Sequence, residues 1–156
     1  MPLSVAQPAF ISTLVANDVA GSVTVEDAAA KFCNAFITWM GLSAVGAVPA
    51  VPLALEATRA IFVQNTITSF KAIDPVTHCN LFQIAVVSLL APFATIWPTV
   101  IAAAPIVPLA TILPPMLTAP QPDNATAKTI LANGYFLWFS TGWACTIGTV
   151  TGIPIL

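Results

Sequence analysis

Reactive side chains are sparse in this sequence, and none is spaced for chemistry. His78 and Cys79 stand side by side and both can ligate a metal, but the other thiols, Cys33 and Cys145, lie dozens of residues away. Structural zinc takes four ligands that arrive in close pairs, so no metal site is expected. A nucleophilic triad would have to use His78, the chain's one histidine, and no serine sits in a G-x-S-x-G elbow. His78 reads instead as a residue of a helix start. Glu26 and Asp27 are adjacent, which on a helix turns them to different sides. They cannot flank a substrate as paired carboxylates do, and they suit the first turn of a helix, where the dipole favours acids. No glycine-rich phosphate loop of standard spacing occurs. Asn124, Ala125 and Thr126 match a glycosylation acceptor, but a capping role at a helix start accounts for them. The chain therefore reads as non-enzymatic, with no catalytic residue, no cofactor and no metal.

Charge is the sharper anomaly. Four Lys and Arg and six Asp and Glu are found among 156 residues, where an average chain would carry about 39 charged side chains. Hydrophobic residues make up 58%. A compact chain of 16.2 kDa exposes roughly 7,500 Å², which leaves about one charge per 750 Å² and makes sizeable apolar patches unavoidable. Such patches mark interfaces or membranes. Lys31, Arg59, Lys71 and Lys128 are spread singly along a chain of net charge −2, so no patch can neutralise several phosphates, and nucleic acid is not an expected partner. The three cysteines lie in apolar sequence and read as buried free thiols. The start, MPLSVAQPAF, has no basic stretch ahead of its apolar residues, so a cleaved secretory signal is not expected.

The elements that such a chain must build are mainly helical. Pro8 to Ala16 reads as a short helix closed by Asn17 and Asp18. Thr24 followed by Glu26 and Asp27 resembles a capping box, and from Val25 to Gly46 the residues Phe32, Phe36, Trp39 and Met40 recur on one stripe. Two further helices are expected over Leu53–Asp74 and Val76–Trp97, separated by Asp74-Pro75. Between Pro92 and Pro122 lie eight of the fourteen prolines in nearly uninterrupted apolar sequence. Each interior proline costs a helix about 3 kcal/mol, so a continuous helix is improbable there and an extended, polyproline-like ribbon is expected. Asp123 and Asn124 start a last helix. The tail from Cys145 to Leu156 is rich in Thr, Val and Ile, with Pro154 suited to a strand edge.

The organisation is thus one domain: a small helical bundle over 1–97, a proline-rich extended segment over 98–122, a helix over 123–144 and a C-terminal extended arm over 145–156. The arm is expected to pair with another chain, with Ile153 and Leu156 as anchors. Phe32, Phe36 and Trp39, together with Trp97, Trp138 and Trp143, are the other candidate contact residues; the three later tryptophans suit either subunit interfaces or a membrane-interface belt.

The order of these features, PAFISTLVANDVAGSVTVEDAAAKFCNAF, an alanine-rich helical middle, PDNATAKTILANG and the closing TVTGIPIL, resembles small alanine-rich virion proteins encoded among the tail genes of tailed, particularly contractile-tailed, bacteriophages. The resemblance implies a helical structural subunit without catalytic activity, located in the virion tail or baseplate, whose partners are other copies and other subunits of the same assembly. The alternative is a small integral membrane subunit with spans over Phe32–Leu55, Leu81–Ala104 and Ile130–Gly152.

Overall fold

Helices begin where the sequence places a cap. Thr24 accepts a hydrogen bond from the Asp27 N–H at 3.1 Å, Asp74 from Thr77 at 2.8 Å and Asp123 from Thr126 at 2.7 Å, satisfying one of the orphan donors of each first turn. The computed structural model describes residues 3–45, 48–49, 52–92, 100–147 and 150–156. Within them the chain is mainly helical: α1 is Leu3–Ala20, α2 Val25–Met40, α3 Pro52–Ala57, α4 Arg59–Phe70, α5 Pro75–Leu90, α6 Leu109–Met116 and α7 Asn124–Leu137. A π-helical turn, Trp138–Gly142, continues α7. The strands are short: β1 Ala44–Val45 and β2 Val48–Pro49 form one antiparallel pair, and β3 Val100–Pro105, β4 Trp143–Ile147 and β5 Val150–Ile153 form an antiparallel sheet in that order.

Several boundaries differ from the sequence expectation. Pro8 lies inside α1, about one and a half turns from its start. The helix expected over Leu53–Asp74 breaks at Thr58, whose hydroxyl donates to the Leu89 carbonyl at 2.9 Å and ties the break to the end of α5. The helix expected to reach Trp97 ends at Leu90, and Trp97 lies outside the described residues. The segment 98–122 is not one extended ribbon, because it holds strand β3 and helix α6, the latter with Pro114 and Pro115 inside it. The helix expected through residue 144 gives way at the π turn, where Ser140 and Thr141 donate to the Leu137 carbonyl at 3.1 and 2.7 Å, and Trp143 is already in β4. Gly142 marks the change of direction: its carbonyl accepts from Ile106 and Val107 at 2.7 and 2.9 Å, and an added Cβ would lie 2.8 Å from the Trp138 ring.

The closing arm finds its partner within the chain. Strand β5 pairs with β4, Ile155 N–H donates to Phe139 at 3.1 Å, and Ala44 and Leu156 exchange two backbone bonds of 2.6 and 2.9 Å. The expectation of a strand partner in another chain is corrected on that point. Among the described residues no helix is long and apolar enough to cross a membrane.

One aromatic core joins these layers. Phe36 lies within 6.1 Å, centroid to centroid, of Phe10 on α1, Phe62 on α4, Phe82 on α5, Tyr135 on α7 and Phe139 in the π turn. Pairs of this kind add about 0.5–1.5 kcal/mol each beyond the area they bury. The glycine of α7, Gly134, sits so close to α6 that a Cβ there would meet Leu113 Cδ1 at 2.5 Å.

Candidate functional site

The aromatic residues that the sequence offers as contact anchors serve the chain's own core. Phe32, Phe36, Trp39, Trp138 and Trp143 are all buried. Trp39 Nε1 donates to the Leu3 carbonyl at 3.1 Å and Trp138 Nε1 to Val107 at 2.9 Å, while Trp143 Nε1 is buried without a partner among the described residues. Burial by α1, α4, α5 and α7 removes these side chains from any surface, which corrects their expected role. Trp97 and the side chain of Ile153 lie outside the description. Leu156 is exposed beside its buried neighbour Ile155.

The chemistry expected to be absent from the sequence can now be placed. Burial pushes the Cys33 and Cys79 thiols up to about 11, so both stay protonated and unreactive at neutral pH. The Cys145 side chain is not described. No group of three or more His, Cys, Asp or Glu that would hold a metal occurs among the described residues. His78 Nδ1 lies 3.0 Å from both the hydroxyl and the carbonyl of Ser69, whose hydroxyl donates back to the His78 carbonyl at 2.8 Å. That histidine clips the start of α5 to the end of α4.

All ten charged side chains are used inside the chain. Lys31 pairs with Asp27 at 2.8 Å, Arg59 with Glu56 at 2.5 Å, Lys71 with Glu26 at 2.8 Å and Lys128 with Asp18 at 2.7 Å. Arg59 also donates to Asn34. Hydrogen bonds from Lys31, Lys71 and Arg59 hold the Asp27, Glu26 and Glu56 carboxyls below their ordinary values. The two remaining acids, Asp74 and Asp123, cap α5 and α7, where Thr77 and Thr126 donate to them and lower them too. The net charge of −2 therefore resides on two caps at the positive ends of helix dipoles. Exposed pairs of this kind add little stability, but they leave the surface with almost no field to steer a charged partner.

One end of the bundle gathers the features that remain. The Lys71–Glu26 pair joins the α4–α5 turn to the start of α2, and the end of α1, the α1–α2 turn and the α4–α5 turn carry Val19, Val23 and Ile73, three of the four most exposed large aliphatics among the described residues at 81%, 97% and 102%. Beneath them is a pocket of about 270 Å³ lined by Asn17, Asp18, Lys31, Phe32, Phe70, His78, Lys128, Leu131 and Tyr135. Tyr135 is 1% exposed; burial, with Cys79 and Cys33 nearby, holds its phenol far above the ordinary value. Beside the pocket, across a wall made of His78 and Leu131, lies an apolar groove of about 410 Å³ lined by Pro75, Val76, Cys79, Leu113, Pro114 and Leu117.

Sequence reasoning passed over this end. Its polar groups come from α1, α2, α5 and α7, so no spacing along the chain reveals them; the only local signal is a tyrosine on a helix otherwise facing an aromatic core. The chain matches no protein-family model, no curated protein and no solved structure.

Proposed function

We propose that the chain is a non-enzymatic structural subunit of a large protein assembly, a tail or baseplate component of a contractile-tailed bacteriophage virion, and that it meets its neighbours through uncharged surface at the turn end of the bundle. One observation carries the reading: each of the ten charges is used within the chain, while Val19, Val23 and Ile73 project into solvent. Isolated exposed aliphatics are ordinary, but aliphatics gathered at one end of a chain so poor in charge favour burial against protein. The virion assignment rests on the resemblance of the opening, PDNATAKTILANG and TVTGIPIL segments to tail-gene virion proteins.

Fractionation tests the reading. Material from cells or particles that stays in large, detergent-free assemblies is the expected result. Release from a membrane fraction only by detergent would overturn it in favour of the membrane subunit that the mean hydropathy of +0.92 also suggests.

A further inference from the structure

We propose that the apolar groove between the start of α5 and the end of α6 binds a small neutral hydroxyl compound, a phenol or an alcohol, whose O–H donates to His78 Nε2. The proposal does not rest on the assembly reading and would survive its failure.

Two features of the lining select that class. The first is the absence of charge. Leu113, Leu117 and Leu131 form apolar walls and no lining side chain is ionic, so a charged ligand would leave water and find no counterion. The volume, about 410 Å³, is well above the roughly 150 Å³ that holds benzene and within the usual range of small-molecule sites. The second feature is an excess of acceptors. His78 Nδ1 lies 3.0 Å from the Ser69 carbonyl, an oxygen that can only accept, so the neutral imidazole carries its proton there. Nε2 is then a lone pair, and it makes no hydrogen bond to another described residue. Phe82 stacks on one face of the ring at 6.4 Å and 7°, which fixes the plane in which that lone pair points. The donors around it are already used. The Thr118 hydroxyl donates to the Pro115 carbonyl at 3.3 Å, the Thr77 N–H to the Asp74 carboxylate at 2.8 Å and the His78 N–H to the Asp74 carbonyl at 3.0 Å, while Pro75 and Pro114 have no N–H to give. Apart from the weak Cys79 thiol, the lining side chains therefore accept hydrogen bonds and do not offer them. Ethers, ketones and carboxylates bring further acceptors; a hydroxyl brings the donor that the groove lacks.

Calorimetric titration of the purified full-length chain with 4-propylphenol, its methyl ether, propylbenzene and 4-propylbenzoate tests the proposal. Saturable binding of the phenol at one site per chain is expected, at least about fivefold tighter than propylbenzene or the ether and at least about tenfold tighter than the benzoate. His78→Asn keeps an N–H near the position of Nδ1 for the Ser69 carbonyl and deletes Nε2. It should bring the phenol to within about twofold of propylbenzene and leave propylbenzene itself unchanged. Leu117→Glu, at a side chain 40% exposed, should weaken every neutral probe at least about tenfold, because it sets a charge in the apolar wall. Circular dichroism establishes that each variant is folded. Should His78→Asn unfold, the imidazole nitrogen resonances of the wild-type chain carry the test, since His78 is its one histidine: the phenol should move Nε2 and propylbenzene should not. Phenol and propylbenzene binding alike, benzoate binding as tightly as the phenol, no saturable binding of the phenol, a His78→Asn chain that keeps the hydroxyl preference, a Leu117→Glu chain that binds as wild type, or an Nε2 resonance that the phenol leaves in place would each overturn the proposal.

Discussion

Helix α2 and helix α6 are both apolar, and they become helical by opposite routes. In α2 every local signal agrees: a Thr24 cap, two acids in the first turn and a stripe of buried residues from Ala29 to Met40. In α6 the local signals disagree with the outcome. Pro114 and Pro115 remove the donors that would reach the Ala110 and Thr111 carbonyls, at about 3 kcal/mol for each interior proline. Tertiary contacts hold α6 instead: Leu109 and Leu113 are buried, the Gln83 side chain accepts from the Leu109 N–H at 3.0 Å, and Trp138 holds the preceding Val107 carbonyl at 2.9 Å. The difference teaches that one helix is specified by its own residues and the other by the surface it lies on.

Changes on either side of that contrast should differ in size and in sign. The largest effect is expected from Phe36→Asp, which sets an unpaired charge among the rings of α1, α4, α5 and α7. Its cost of several kcal/mol is comparable to the whole stability of a small domain, so the cooperative thermal transition followed by circular dichroism should vanish. Next is Gly134→Ala, which forces a Cβ to within 2.5 Å of Leu113 Cδ1 unless α6 retreats. A loss of about 1–3 kcal/mol in denaturant unfolding is expected from overpacking; no loss would show that α6 is not held by α7.

Pro114→Ala sharpens the comparison in the opposite direction. It restores a backbone donor to the Ala110 carbonyl, so it should stabilise the chain by about 1–2 kcal/mol once the greater freedom of the unfolded chain is subtracted. A destabilised variant would mean that the proline ring is itself needed in the groove that it lines.

The smallest effect concerns the caps. Asp74 and Asp123 have folded-state values below the ordinary 3.8, so their contribution is fully present above that value and is lost as the pH falls through the lower folded one. The part of the stability that these two caps contribute should decline only below about pH 4, and Asp74→Asn with Asp123→Asn should remove that part of the decline in an acid titration of the melting temperature.

What the sequence made legible follows the same division. The caps at Thr24, Asp74 and Asp123 and the buried face of α2 were readable because their determinants lie within one turn of each other. The cover of that face was not: Phe36 meets rings from residues 10 to 139, and nothing local separates a stripe buried by its own chain from one buried by a neighbour. Strand β3 pairs with β4 about forty residues later, Pro105 opposite Trp143, a pairing that no local pattern encodes. The arm suffered the same fate. Its extended composition was visible, but not that it folds back on itself as the β4–β5 hairpin, nor that β3 and Ala44, far earlier in the chain, pair with it, so deleting residues 151–156 should weaken the fold itself as well as any assembly. The pocket escaped notice because Tyr135, His78, Lys31 and Lys128 become neighbours only after four helices have packed.

The central claim is that uncharged surface at the turn end joins this chain to others, and sedimentation of the purified protein without detergent tests it most directly. Wild-type protein should form large particles at both 0.1 M and 1 M salt, since no charge pairing is available to be screened. The double variant Val23→Glu with Ile73→Glu, which touches only exposed side chains and leaves stability within about 0.5 kcal/mol per site, should sediment as a folded monomer of 16.2 kDa. A wild-type chain that remains monomeric at high concentration, or a double variant that assembles as well as wild type, would contradict the account.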